Sequence, residues 1–259
     1  MARKEAEVSE MKAPGSWDER FRVRAGETGP GSLLRLPALC DWLQETAGNH
    51  AAALEWGTDA LRERGIAWVL SRLTLEVTAL PRQGEEALVR TWPSGVYRLW
   101  SLREFEVTDP QGAGLARATT GWLLFRLADR KPSRPPRELA ALEASLPPRL
   151  IDDRFEEVAA PSSSAAGPVF RVGRYDLDAN GHANNVAIVR WLLESLPSGP
   201  GLARPSLRTR IELRGECFEG DVLNAHVERA GAATLHSLVR ESDAREVARA
   251  ETTLPGDDR

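Results

Sequence analysis

Cysteine, lysine, histidine and long apolar runs are all scarce in this chain of 259 residues. Two cysteines, Cys40 and Cys217, cannot make a disulfide framework, which excludes the small secreted scaffolds and points to the cytoplasm. Lysine is reduced to Lys4, Lys12 and Lys131 against 31 arginines, a bias that reads first as coding composition. No stretch approaches the ~20 apolar residues of a membrane span, and no apolar h-region marks an export signal. Residues 1–18 are charged and lean acidic, so they fail as an Arg/Ser-rich transit peptide and read as a loose tail. Neither sign of charge dominates: 34 basic and 38 acidic residues leave −4, with no global attraction for nucleic acid or anionic membrane. What remains is an ordinary globular composition, 42% apolar and 28% charged. The length allows one large domain or two of about 100–150 residues.

Apolar residues at Leu39, Leu43, Ala47, Ala51 and Leu54 follow Pro37 with helical spacing, and Gly57 follows the last of them. This predicts a helix over Pro37–Trp56. The period then changes to two. Val69, Leu73, Leu75 and Val77 alternate with polar residues as in a half-buried strand. Further strands are expected at Ala87–Trp92, Tyr97–Thr108 and Leu115–Phe125, with turns at Gln83-Gly84, Pro93-Ser94-Gly95 and Asp109-Pro110-Gln111-Gly112. One helix followed by an antiparallel meander is an α+β pattern. Prolines and serines then mark a connector, with one short helix expected at Glu138–Ser145. After it the order recurs: a strand start at Phe170–Gly173, a helix at Asn185–Leu196, and strands at Leu207–Leu213, Val222–Glu228, Thr234–Glu241 and Val247–Leu254. Trp42-Leu43-Gln44-Glu45-Thr46 is echoed by Trp191-Leu192-Leu193-Glu194-Ser195. Arg117-Ala118-Thr119-Thr120 is echoed by Arg249-Ala250-Glu251-Thr252-Thr253. Together the echoes argue for a duplicated helix-plus-sheet unit.

The chemistry concentrates in Tyr175-Asp176-Leu177-Asp178-Ala179-Asn180-Gly181-His182-Ala183-Asn184-Asn185, which runs into the second helix. Asp176-x-Asp178-x-Asn180-Gly181 opens like a calcium loop, but the twelfth position is Ala187 rather than Glu, and the preceding segment is extended. An Asx-rich turn with a helix N-cap accounts for Asn184 or Asn185 but not for the histidine. On the third reading, Asp178, Asn180 and His182 alternate along an extended loop and face one cavity at the positive end of the helix. Cys217 invites a Cys-His-Asn nucleophile, but Glu216 and Glu219 nearby would raise its thiol pKa, so a small buried side chain is the expectation. His50 reads as a structural imidazole, and His226 and His236 as strand residues without an acidic partner. A metal site built from Asp178, His182 and Glu216 is the weaker alternative.

The run Asp176 to Val186, continued by Arg190-Trp191-Leu192-Leu193-Glu194-Ser195, resembles the acyl-carrier-protein thioesterases of plant plastids and bacteria. Arg214-Gly215-Glu216-Cys217 stands where that family places a Glu-Cys pair. Leu43-Gln44-Glu45, Gly48-Asn49-His50-Ala51, Gly65 to Arg72 and Arg117 to Trp122 agree in order, so the resemblance spans roughly Phe21 to Leu254. It implies a double hotdog: two fused units, each a long helix wrapped by an antiparallel sheet. The division expected is a tail at 1–18, an N-terminal hotdog with the acyl pocket at 19–128, a connector at 129–167 and a C-terminal hotdog with the catalytic loop at 168–259.

The resemblance also implies hydrolysis of a fatty acyl-[acyl-carrier-protein] thioester by activated water, with no cofactor and no metal. Its catalytic set falls on Asp178, Asn180, His182 and Glu216. A neutral His182 accepts a proton, and Glu216 shares or completes the base. Asn180 and backbone N–H groups of the second helix face the thioester oxygen, and Asp178 holds Asn180 or His182. Which group is the proximal base stays open. The rivals are an acyl-coenzyme A thioesterase, a hotdog dehydratase (its His-Phe-Pro-type loop is missing) and a silent acyl-binding module. A homodimer is one option for assembly. The partner is an acidic carrier protein, so docking needs a local cationic face. The candidates are Arg126, Arg130, Lys131, Arg134 and Arg137, with Arg204, Arg208 and Arg210 as a second set.

Overall fold

A computed structural model describes residues 15–136, 147–162, 165–197 and 206–254. The expected short helix at Glu138–Ser145, Arg137 and Arg204 lie outside the described residues. The first half runs β1 (Trp17–Arg22), α1 (Leu36–Ala53), α2 (Thr58–Glu63), β2 (Ile66–Val77), β3 (Glu86–Tyr97), β4 (Trp100–Thr108), β5 (Gly114–Arg126) and a short β6 (Lys131–Ser133). The second half repeats the order with β7 (Ala166–Arg171), α3 (Asn185–Glu194), β8 (Leu207–Leu213), β9 (Val222–Ala230), β10 (Ala233–Arg240) and β11 (Glu246–Thr253).

All the strands join one antiparallel sheet in the order β1-β3-β4-β5-β2-β8-β11-β10-β9-β7, with β6 paired to β5. The order reads the same way outward from its middle, where β2 pairs β8. The sheet wraps α1 and α3, which pack against each other. Their apolar faces are Ala38, Leu39, Trp42, Leu43 and Ala47 on α1, and Val186, Ile188, Val189, Trp191, Leu192 and Leu193 on α3. Against them the strands turn Leu73, Leu75, Val89, Phe105, Ala118, Ile211, Leu238 and Ala250, all buried in one core. The buried strand positions sit at the two-residue spacing read from the sequence.

Both helices are shorter than their apolar periodicity. α1 stops at Ala53 because Glu55 turns left-handed at φ 61, and Gly57 then begins α2, an element without a signal in the sequence. A Cβ on Gly57 would sit 2.9 Å from Ala52 Cα, which explains glycine there. α3 ends at Glu194, with Ser195 as its C-cap. Pro93-Ser94-Gly95 is not a turn. β3 runs through it with a bulge against β4, Gly95 at φ 121, and the reversal comes at Arg98, φ 58. Pro93 is tolerated because β1 pairs with β3 only as far as Thr91, so no neighbouring strand needs its missing N–H.

Within the connector, the described segment 150–158 is a strap rather than a free linker. Residues 150–158 lie on the sheet face opposite the helices and bury Ile151, Phe155 and Val158. Buried carboxylates hold it: Glu104 accepts from the Leu150 N–H at 3.1 Å and Glu212 from the Val158 N–H at 2.8 Å. Phe155 meets Trp100 edge-on, with ring centroids 5.7 Å apart. A Cβ at Gly121 would come within 3.0 Å of Phe155 and 3.1 Å of Trp100, so both rings would have to give a little.

Candidate active site

The polar loop before α3 is a tight turn, not the extended loop its alternation suggests. The Asp178 N–H donates to the His182 carbonyl at 2.7 Å, and Gly181 takes φ 78. The Asp178 carboxylate folds back as the hub of this turn. It accepts from the Asn180 N–H at 2.8 Å, the Asn180 side-chain amide at 3.2 Å and the His182 N–H at 3.2 Å. One carboxylate therefore satisfies three donors that a short turn leaves without backbone partners. The turn is fixed at both ends. Asp176 accepts from Arg190 of α3 at 2.8 Å and caps the Gly173 N–H, and the Asn184 side chain accepts from the Val186 N–H at 2.9 Å as the N-cap of α3.

Glu216 comes from the segment between β8 and β9. The segments are joined through the Ala183 N–H, which donates to the Cys217 carbonyl at 2.8 Å. This sets His182 Nδ1 and Glu216 Oε1 3.9 Å apart, beyond direct hydrogen bonding. Phe218 meets the His182 ring edge-on at 5.2 Å. Asp178, Asn180, His182 and Glu216 are thus gathered at one place, with Asn180 and Glu216 exposed and the other two half-buried. Phe218 was missed by the sequence reading, and Arg130 of the first half, whose guanidinium bonds Glu216 Oε2, was read there only as a docking cation. Neither contact had a local signal, because both are made by folding rather than by spacing.

Cys217 is fully buried. Burial, and then the charge of Asp221, push its thiol up to about 12, which disfavours the thiolate a nucleophile needs. The cause is not the Glu216 and Glu219 charges expected from sequence. His50 accepts from Arg103 at 3.0 Å, and burial with that cation lowers it to about 4. His236 lies among Leu192, Ser195 and Thr252 and is also lowered to about 4, chiefly by burial. Among the described residues no group of three or more His, Cys, Asp or Glu side chains is arranged to hold a metal ion. A groove of about 1200 Å³ between β1 and α1 is lined by charged groups including Glu19, Asp41 and Glu45, and touches none of the four site residues.

The first half contains the same loop without its chemistry. There the Gly29 N–H donates to Leu33 O, Leu34 N–H to Pro81 O and Arg35 N–H to Glu27 O. These bonds match Asp178 to His182, Ala183 to Cys217 and Asn184 to Asp176 in the second half. Gly29, Gly31, Leu33 and Leu80 therefore stand at the places of Asp178, Asn180, His182 and Glu216. Both backbones persist, and only one carries acid, amide and imidazole.

Two such units sharing one sheet, with a single polar loop at the start of the second helix, define a double hotdog with one candidate centre. The family model for the acyl-ACP thioesterase N-terminal domain matches residues 14–142, and that for the C-terminal domain matches residues 161–254. The chain belongs to the acyl-ACP thioesterase family. It is 27% identical over 235 residues to an oleoyl-acyl carrier protein thioesterase of Coriandrum sativum, covering 81% of this chain and 62% of that protein. A palmitoyl-acyl carrier protein thioesterase of Gossypium hirsutum is 29% identical over 260 residues, covering 91% and 63%. Both relatives are chloroplastic, and the chain spans about 62% of the length of the first. The fold matches that of an acyl-ACP thioesterase from Bacteroides thetaiotaomicron with a TM-score of 0.82, at 24% identity over 92% of this chain and 97% of that one. It also matches a 12:0-ACP thioesterase from Umbellularia californica, TM-score 0.79, at 24% identity over 94% and 98%.

Proposed function

We propose that the chain hydrolyses the thioester of a fatty acyl group borne on an acyl carrier protein, releasing free fatty acid and holo-carrier protein. One observation carries this reading: His182 Nδ1 and Glu216 Oε1 lie 3.9 Å apart beside the start of α3, a separation one shared water can bridge. A thioester needs little help with its leaving group, because the departing thiol has a pKa of only ~8.5. The demanding steps are activating water and stabilising the tetrahedral oxyanion. His182 and Glu216 together orient the water and take its proton. The Asn180 amide keeps one N–H beyond its bond to Asp178 as a donor for the oxyanion, whereas the Val186, Ala187 and Ile188 N–H groups of α3 are already taken by Asn184. Asp178 is a positioning residue that sets both Asn180 and His182. The apolar side of α1 and its sheet supplies the acyl site. Both cysteines are free and buried, which suits a reducing compartment such as the cytoplasm.

The test is free acid release from matched carrier-protein and coenzyme A thioesters over a range of chain lengths. Carrier-linked substrate is expected to turn over faster. His182→Ala and Glu216→Ala should each lower kcat by at least ~10²-fold, the scale of a positioned acid–base group. Cys217→Ala should retain most of the activity. Folded His182 and Glu216 variants with parental turnover would remove the assignment, and an acyl group found on Cys217 would replace the water mechanism.

A further inference from the structure

Glu216 is held from two directions, and the second is unexpected. Its backbone carbonyl accepts from Arg240 at 3.0 Å, within its own half. Its side chain is engaged by Arg130, 86 residues away in the first half. Arg130 occupies the turn between β5 and β6, and that turn is pinned throughout. Leu127 N–H donates to Gly65 O at 2.8 Å, and Arg130 N–H to Arg126 O at 2.9 Å. Arg126 grips Asp129 with two bonds, 2.6 and 3.1 Å. Arg130 itself takes the left-handed conformation, φ 53, that the turn imposes. The guanidinium is thus delivered to Glu216 Oε2 from a rigid base while Oε1 faces His182.

We infer that Arg130 is a positioning residue, a clamp from the first half that keeps the Glu216 carboxylate turned toward His182. The inference rests on the proposed thioesterase reading for its kinetic consequence, though not for its geometry. Stability is not the purpose of the pair. Its side chains are 68% and 42% exposed, and pairs of that kind contribute little to folding. What the pair supplies is a choice among rotamers. A carboxylate on two free sp³ torsions has about nine staggered wells, so releasing it dilutes the productive one by up to ~10-fold. The clamp also gives the fusion of the halves a catalytic consequence, because the half that has lost its own polar loop still orders the surviving one.

The experiment compares Arg130→Ala, Arg130→Lys and Glu216→Gln in the full chain, using a carrier-protein thioester and a small thioester without the carrier. Arg130→Ala is expected to lower kcat roughly 10-fold on both substrates, with KM and Tm unchanged. Arg130→Lys should recover to within about threefold of the parent, and Arg130→Ala should add nothing on the Glu216→Gln background. A loss confined to KM for the carrier substrate would make Arg130 a docking residue and overturn the inference. So would parental kcat in Arg130→Ala, or an equal further loss in the double variant. A crystal structure of Arg130→Ala needs no substrate: Glu216 should spread over several rotamers or leave His182, and an unmoved Glu216 overturns the clamp. If the parent hydrolyses neither thioester, the functional reading falls while the crystal structure still decides the clamp.

Discussion

His236 shows how a residue without a catalytic part still shapes the behaviour of the protein. Its ring is closed in by Leu192, Ser195 and Thr252, and burial keeps it neutral, lowered to about 4 from 6.5. Between these values the unfolded chain binds a proton that the native state refuses. The stability contributed by keeping this ring neutral is therefore full above about pH 6.5 and falls away as the pH drops toward 4. His50 adds a contribution of the same sign, from burial and Arg103. Calorimetry from pH 7 to 4.5 should show Tm falling with pH. His236→Gln should lower Tm at pH 7, because ring hydrogen bonds are lost, but flatten the slope. A variant slope equal to the parental one would assign the acid loss to carboxylates alone.

Among the elements, the strap matters most to the architecture. Glu104 and Glu212 are buried on the sheet face it covers, and their oxygens are satisfied by strap N–H groups and by Ser94, Thr119 and Arg214. Removing the strap would take a backbone donor from each carboxylate and open to water the sheet face that Ile151, Phe155 and Val158 cover. Phe155 is its anchor, 5% exposed and packed over Gly121. Phe155→Ala should cost about 3–5 kcal/mol, the range for a buried aromatic, read as a fall in denaturant midpoint. A loss under 1 kcal/mol would mean that the strap is a passenger on the sheet.

For the whole molecule, a net charge of −4 must be reconciled with the acidic carrier protein proposed as its partner. The structure narrows the cationic candidates. Arg126 is spent on Asp129, Arg130 on Glu216, Arg208 on Glu76, and Arg210 on Asp153 and Glu251. Lys131 and Arg134 are exposed, and Arg134 shares a groove of about 380 Å³ with Val96, Arg98, Leu99 and Pro135. This face begins one residue beyond the clamp on Glu216, a placement that suits delivery of a tethered thioester. Reversing Lys131 and Arg134 to Glu should raise KM for the carrier-protein substrate, most at low salt, with kcat and the small thioester spared. Unchanged KM at low salt would place docking elsewhere.

The α+β class and the duplication were legible in the sequence because each rests on local pattern; the spacing of Asp178, Asn180 and His182 singled out their loop, while Glu216 entered only through the family resemblance. Period-two and helical spacings report burial wherever one face is apolar, and the echoed Trp42 and Trp191 segments lie in corresponding helices because the duplication kept their packing. Elements with mixed or strained backbone were not legible in this way: Pro93-Ser94-Gly95 carries the composition of a turn yet sits in a bulge. The Asp178 loop alternated like a strand, but its carboxylate found three donors closer at hand than any pocket. Only the tertiary structure decided what lies across the chain: the strap on buried Glu104 and Glu212, the bare counterpart loop at Gly29 to Leu33, and Arg130 on Glu216. Those contacts join residues far apart in sequence, and no local period records them, because their free energy arises only when the two halves close on one sheet.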